Sequence, residues 1–255
     1  MVTGASRGLG RAVAVELAQR GFDTTATMRN PADAAGLTGI RVGRLDVTDP
    51  STIDLPVGLR VLVNNAGVES DNLPLECMPS DMWRRLFETN VFGLVEVTKR
   101  AVPLMRAAGG GVICNITSSS LLAPVPFLGA YRAGKAAVTA LGESLAAEVA
   151  QFNIRVVEIM PGPIETDMLA ASERPSPAIE IDEYRELAGK LWEGRQRVRA
   201  SYTPAAEAAR RIVDAICDDS GPLRYGCDPL SEGMLQGWNE TDNARWVGGM
   251  LKSFS

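Results

Sequence analysis

Short runs of aliphatic and β-branched residues alternate along this chain with longer stretches of helical period, and no other feature narrows the fold as far. Strands are expected over 23–28, 40–45, 60–64, 111–117 and 154–159, with a last one near Leu223. The runs 111–117 and 154–159 have the apolar, β-branched composition of strands covered on both faces. Helices are expected over 9–20, 81–107, 129–152 and 204–217. Pro79-Ser80-Asp81 and Gly109-Gly110-Gly111 bracket the second of these as start and stop signals. Strand–helix–strand alternation makes a parallel sheet flanked by helices on both faces, so the expectation is an α/β, doubly wound architecture in a single domain over 1–255.

Two stretches depart from that rhythm. Between about 161 and 202, proline, glutamate and arginine rise and two amphipathic pieces appear, an excursion expected to form a substrate lid rather than a separate domain. Residues 222–255 carry Gly226, Gly233, Gly237, Gly248 and Gly249 and are expected to be loop-rich.

At 255 residues, with 45% hydrophobic and 22% charged content, the chain has the make-up of one soluble globular domain. A net charge of −5 argues against a nucleic-acid or anionic-membrane partner. The basic trio Arg195, Arg197 and Arg199 alternates and reads as a solvated face. Cys77, Cys114, Cys217 and Cys227 are scattered without metal-type spacing, which suits a reducing compartment. No apolar run is long enough to span a bilayer and no leader pattern opens the chain, so the cytoplasm is the expected location. Histidine is absent, which removes the commonest general base and metal ligand, and no metal site is expected.

Tyr131 and Lys135 stand four residues apart at the start of an apolar helical run, thirteen residues after Ser118. On a helix that spacing puts phenol and ammonium on one face. A cation beside a tyrosine lowers its pKa from about 10 and readies it to exchange a proton with a carbonyl or alcohol. At the other end of the chain, Gly4, Gly8 and Gly10 precede the first helix and would let backbone approach a pyrophosphate at a helix N-terminus, though the spacing is not Gly-x-Gly-x-x-Gly. Gly4-Ala5-Ser6-Arg7-Gly8 also fits the hydrolase pattern Gly-x-Ser-x-Gly, but that serine needs a base and the chain has no histidine.

Taken together these motifs resemble the short-chain dehydrogenase/reductase family from Val2 to about Ala215, and the resemblance implies a Rossmann-type oxidoreductase. It assigns Gly4, Ser6, Arg7, Gly8, Leu9 and Gly10 to the coenzyme loop, and Asp46 with Val47 to the adenine contact. Asn65, Ala66 and Gly67, in Asn64-Asn65-Ala66-Gly67, would close the fourth strand beside the coenzyme. Pro161, Gly162, Ile164 and Thr166 would hold its nicotinamide end. Asn90, Ser118, Tyr131 and Lys135 would be the catalytic set. Tyr131 would serve as general acid or base, Lys135 as its tuner and ribose ligand, Ser118 as the holder of the substrate oxygen, and Asn90 as support for a water that returns the proton. Pro222-Leu223-Arg224-Tyr225-Gly226 resembles the hydroxysteroid-dehydrogenase-like branch.

The second strand ends Thr27-Met28-Arg29-Asn30 without the carboxylate that usually takes the NAD ribose, while Arg29 and Arg7 suit a 2′-phosphate. NADP(H) is therefore expected over NAD(H), with Asp33 the carboxylate that would serve NAD instead. Met1 stands one residue before Val2-Thr3-Gly4, so either the start lies upstream, the chain is trimmed, or very few residues supply the sheet centre. Only fourteen residues lead from Asp49 to Asn64, room for one helical turn.

The excursion carries Met168, Leu169, Ile179, Ile181, Tyr184, Leu187, Leu191 and Trp192, which either shape a pocket for a bulky hydrophobic alcohol or ketone or merely dock the lid. The helices bearing Asn90 and Tyr131 form the subunit contact in many relatives, implying a homodimer or homotetramer. The rival expectations are a coenzyme-binding sensor without turnover and an enzyme of small polar carbonyls.

Overall fold

The sheet is assembled around one N-terminal residue. In the computed structural model, which describes residues 1–167, 169 and 174–252, β1 (Thr25–Met28) pairs in parallel with β2 (Arg41–Arg44). β3 (Val61–Asn64), β4 (Gly111–Ile116) and β5 (Ile154–Ile159) form a second parallel ladder. Val2 bridges Ala26 on one side and Val63 on the other. Its N–H donates to the Thr25 carbonyl and its own carbonyl accepts from Thr27, both at 2.9 Å, while Thr3 N–H reaches the Val63 carbonyl at 3.0 Å. Met1, Thr3 and Ala5 bond to the same neighbouring strands on either side of Val2. Two-residue strands β6 (Ile164–Glu165) and β7 (Thr203–Pro204) make a separate ribbon that ties the two ends of the excursion. The last strand, β8 (Arg224–Tyr225), adds beside β5. The order across the sheet is β2-β1-Val2-β3-β4-β5-β8, and every pairing is parallel.

The helices are α1 (Gly8–Gln19), α2 (Ser80–Phe87), α3 (Gly93–Ala107), α4 (Gly129–Val149), α5 (Arg185–Val198), α6 (Ala205–Cys217), α7 (Pro229–Glu240) and α8 (Asn243–Leu251). Alternate side chains of each central strand face opposite layers. Val63, Cys114, Val157 and Ile159 meet α1 and α6 through Val13, Leu17, Ile212 and Val213. Leu62, Ile113, Ile154 and Val156 meet α3 and α4 through Val97, Ala101, Met105 and Val149. Burial of each such large side chain contributes about 1.5–3 kcal/mol. This is the doubly wound parallel sheet expected from the alternation.

Two expectations change, and the crossover after Asp49 has the single short turn expected of it. The stretch 81–107 is not one regular helix, because α2 and α3 are joined by a π-helical turn over Glu88–Phe92, and Asn90 sits inside it. The short crossover after Asp49 holds only a 3₁₀ turn, Pro50–Thr52, capped by the Asp49 side chain on Ser51 N–H at 3.1 Å. The tail is not loop-rich: α7 and α8 occupy most of it. Its start signal was present in Asp228-Pro229-Leu230-Ser231, where Asp228 and Ser231 form a capping box with proline in the first turn. Of its glycines, Gly237 serves the packing between these helices. A Cβ on Gly237 would stand 2.3 Å from the Trp246 ring, so glycine there lets α8 lie against α7. Trp246 in turn donates its indole N–H to the Leu122 carbonyl at 2.6 Å, fastening the tail beside Ser118.

Four of the lid's eight apolar residues dock it, while Leu169 borders the cleft described below. Ile179, Tyr184, Leu187 and Leu191 pack with Phe127, Ala178 and Ala188 in a satellite core, and Tyr184 meets Phe127 edge-on with ring centroids 5.8 Å apart. Met168 lies outside the described residues.

Candidate active site

Beyond the carboxyl ends of the strands lies one cleft of about 750 Å³, the position and size at which doubly wound sheets take ligands. Every candidate coenzyme residue borders it: Gly4, Ser6, Arg7, Gly8, Leu9 and Gly10 from the first loop, Arg29 from the end of β1, Asp46 and Val47 after β2, Asn65, Ala66 and Gly67 after β3, and Pro161, Gly162, Ile164 and Thr166 after β5. Ser118, Tyr131 and Lys135 border it too, whereas Asn90 does not.

The glycine loop is built for close approach. Gly4 has φ 64°, and a Cβ there would stand 2.8 Å from Ala66 Cα. Helix α1 begins without a side-chain cap on its first N–H groups, which are the groups that would take a pyrophosphate. Thr3 and Asn65 lock this loop to the end of β3. Asn65 Nδ2 donates to the Thr3 and Gly4 carbonyls at 3.0 and 3.1 Å, and the Thr3 hydroxyl accepts from the Asn65 and Ala66 N–H groups at 3.0 Å. A Cβ on Gly10 would fall 2.2 Å from Asn65 Nδ2 and 2.7 Å from the Gly4 carbonyl oxygen. Gly10→Ala is therefore expected to destabilise by about 1–3 kcal/mol through overpacking. Thermal unfolding should show a midpoint several degrees lower together with weaker coenzyme binding, and an unchanged midpoint would mean the loop accommodates the methyl.

After β2, Asp46 Oδ1 accepts from the Thr48 N–H at 3.0 Å and the Thr48 hydroxyl at 2.8 Å. Asp33 accepts from Asn30 Nδ2 at 3.2 Å and does not border the cleft. Arg7 pairs with Asp167 at 3.6 Å in an exposed contact. In the turn after β5, Gly162 N–H donates to Asp228 Oδ2 at 2.7 Å. Asp228 is fully buried and also accepts from the Ser231 hydroxyl at 2.6 Å, so the start of α7 fixes the turn after β5.

Tyr131 and Lys135 lie on the first turns of α4, as their spacing requires. Lys135 is buried and its Nζ donates to the Ile116 carbonyl at 2.7 Å, 5.7 Å from the centre of the Tyr131 ring. Burial lowers its pKa to about 8, with Glu69 and Glu158 pulling the other way. Burial, then Glu69, raises the Tyr131 phenol well above its ordinary value, and only the hydrogen bond with Ser118 lowers it. That is the opposite of the lowering expected from the Tyr–Lys spacing, because the ammonium here is spent on the strand rather than on the phenol oxygen. The phenol is thus fully protonated near neutrality, which suits a proton donor. Ser118 Oγ accepts from Ser120 N–H at 3.2 Å, and the Arg132 guanidinium fixes the same loop through the Ser120 carbonyl at 2.8 Å.

Asn90 clamps the loop after β3. Its Oδ1 accepts from Val68 N–H and its Nδ2 donates to the Val68 carbonyl, both at 2.8 Å. The side-chain amide is thereby consumed, and Asn90 acts by positioning. A π turn is a common device for aiming one residue at a functional site, and no pattern of apolar residues announces it.

Several cleft residues carried no signal in the sequence. Glu69 borders the cleft one residue past the Asn90 clamp, and Arg195 faces it from α5 instead of belonging to a wholly solvated trio. Leu230 and Met234 reach it from α7. Only the capping pattern at Asp228 could have placed α7 in advance.

The short chain dehydrogenase family matches residues 1–176. The uncharacterized oxidoreductase YusZ of Bacillus subtilis (strain 168) is 37% identical over 189 residues, covering 68% of this chain and 67% of its own. The 3-oxoacyl-[acyl-carrier-protein] reductase FabG of Salmonella typhimurium is 38% identical over 187 residues, covering 67% and 75%. Among solved structures, a short-chain dehydrogenase from Streptomyces avermitilis superposes with a TM-score of 0.78 at 32% identity, covering 94% of this chain and 90% of that one.

Proposed function

This chain belongs to the short-chain dehydrogenase family, and on that footing we propose that it transfers hydride between NADP(H) and a carbonyl or secondary alcohol, with Tyr131 exchanging the proton. Membership makes it an oxidoreductase that uses a nicotinamide coenzyme and acts on a small molecule. Among the described residues, no helix is long and apolar enough to cross a membrane.

The observation that supports the finer reading is that Tyr131, Lys135 and Ser118 border the same cleft as the glycine loop. When bound, the coenzyme supplies or accepts the hydride. Tyr131 gives its proton to the carbonyl oxygen in reduction and takes one from the hydroxyl in oxidation. Ser118 shares that oxygen and stabilises the charge that gathers on it. Lys135 would hold the nicotinamide ribose and keep positive charge beneath the phenol. Asn90 holds Val68, and with it the loop wall opposite Tyr131.

NADP(H) is favoured by charge. Arg29 and Arg7 border the adenine end, β1 ends without a carboxylate, and Asp33 is occupied by Asn30. A screen of ketones and alcohols, read by the absorbance of reduced coenzyme, tests the activity. The same assay compares KM for NADPH and NADH. Arg29→Ala should raise KM for NADPH on the order of 10-fold, the worth of one charged phosphate contact, and change KM for NADH little. A native preference for NADH would reverse the assignment.

The substrate half of the cleft has apolar walls in Val125, Leu128, Leu230 and Met234. They support a substrate with a hydrophobic body, and a homodimer or homotetramer through the α3 and α4 faces is the accompanying assembly, with Phe92 exposed beside α3.

A further inference from the structure

Among the described residues, three charged side chains are buried: Lys135, Asp228 and Glu158. Lys135 borders the cleft and Asp228 holds the turn after β5, so both already serve it. Glu158 does not border the cleft. It lies inside the sheet on β5, between Asn115 of β4 and Arg224 of β8, with Val157 and Ile159 beside it in the chain.

Its carboxylate is held from three elements. Oε1 accepts from the Thr117 hydroxyl, just past β4, at 2.9 Å and from the Thr139 hydroxyl of α4 at 2.5 Å. Oε2 accepts from Arg224 Nε of β8 at 2.9 Å. One oxygen atom therefore joins the residue before Ser118 to the helical turn after Lys135. The same face of α4 carries Arg132, Lys135, Thr139 and Glu143 at helical spacing. All four bond to the sheet or its ends. Arg132 donates to the Ser120 carbonyl at 2.8 Å, Lys135 to the Ile116 carbonyl at 2.7 Å, Thr139 to Glu158, and Glu143 pairs with Arg224. Apolar contacts are non-directional and tolerate a helix that slides or rolls, whereas a seam of hydrogen bonds fixes it. The fold alone does not call for the charge at its centre, since apolar residues of similar volume commonly replace a buried ion pair without loss of stability.

Resting on the proposed oxidoreduction, we propose that Glu158 is a positioning residue: by holding Thr117 and Thr139 on one carboxylate oxygen it sets the distance from Ser118, at the end of β4, to Tyr131 and Lys135 on α4. With either hydroxyl gone, α4 is no longer tied through Glu158 to the end of β4, and the phenol and the serine hydroxyl lose their shared geometry at the reacting oxygen. A misplacement of about 1 Å at such a group costs on the order of 10²-fold in rate. The loss falls on kcat more than on KM, because the transition state depends on that geometry more than the bound ground state does.

Removing Glu158 itself would strand Arg224 and two buried hydroxyl contacts, so the test uses the threonines. Thr139→Val and Thr117→Val keep the branched shape without the hydroxyl, and Thr139→Ser and Thr117→Ser keep the hydroxyl. Steady-state kinetics on the best carbonyl from the screen is measured beside coenzyme binding and the thermal midpoint. Each valine variant should bind coenzyme and lose kcat about 10-fold or more with KM nearly unchanged, and each serine variant should recover most of the loss. The double valine variant should lose little more than either single one, because cutting one tie already breaks the link through Glu158. Native-like kcat in both valine variants, serine variants as impaired as the valine ones, or losses that multiply in the double variant would each overturn the assignment. Failure of both valine variants to fold would make the seam purely structural and overturn it as well. Inactivity of the native enzyme on every carbonyl and alcohol of the screen, read on the unmodified protein, would instead overturn the oxidoreduction.

Discussion

Tyr131→Phe should lower kcat about 10²- to 10⁴-fold, the range by which a positioned proton donor accelerates a reaction, while the protein folds and binds coenzyme nearly as before. The two halves of this expectation have separate causes. The ring of Tyr131 packs on Leu86 and Ala130 beside α2, and phenylalanine keeps that volume and contact. The hydroxyl is what the substitution removes, and in the structure it is protonated: burial and the nearby Glu69 charge hold the phenol well above its usual pKa, with Ser118 alone drawing it down. The sequence holds no histidine that could take over the proton transfer. Steady-state kinetics on the best substrate from the screen, with coenzyme binding followed by protein fluorescence, separates the outcomes. Retention of kcat within about 10-fold would mean the proton travels by another route. Loss of coenzyme binding together with kcat would mean that the residue is structural.

The parts of this molecule that could be read from the residues are those where a local rule and the global fold agree. The run 154–159 is β5 residue for residue, because Ile154, Val156, Val157 and Ile159 give it the β-branched composition of a strand covered on both faces, although Arg155 and Glu158 interrupt them. Tyr131, Lys135 and Ser118 fall together because a helical offset and a strand end fix their geometry wherever such a sheet forms. What escaped reading depends on contacts between distant segments. The glycines of the tail look like loop signals until Trp246 is seen against Gly237. The π turn at Asn90 leaves the apolar pattern of 81–107 almost unchanged, since it adds one residue to a turn rather than breaking the helix. Glu69 and Arg195 come from a loop and a lid helix separated by more than a hundred residues, and their shared cleft exists only after folding. The lid's apolar residues were visible, but whether they faced the cleft or Phe127 was a question of packing: Ile179, Tyr184, Leu187 and Leu191 cluster with Phe127, and Leu169 borders the cleft.

Lys135→Met should make the protein more stable and nearly inactive. In the native structure the lysine is buried with its ammonium on a single carbonyl, that of Ile116, and burial lowers its pKa from 10.5 to about 8. A shift of that size means the folded state is disfavoured by about 3 kcal/mol, to order of magnitude, wherever the lysine must carry its charge. The sign follows from proton counting. Between pH 8 and 10.5 the unfolded chain binds the proton and the folded one does not, so stability rises with pH across that window, and below pH 8 the full penalty is present. Methionine has nearly the same shape and no charge, but the Ile116 carbonyl loses one donor. The net gain is expected to be about 1–2 kcal/mol near pH 7, or a melting temperature roughly 2–6 °C higher for a chain of this size. Activity should fall on the order of 10²-fold or more, since the side chain proposed to hold the nicotinamide ribose in position is lost. The discriminating measurement is the difference in melting temperature between variant and native protein from pH 7 to 10. It should shrink steadily as the pH passes 8, because the native lysine then sheds its proton and its penalty with it. A variant less stable than the native protein, or a difference that stays constant with pH, would show that the ammonium is held comfortably by its surroundings and that its place under Tyr131 carries no stability penalty.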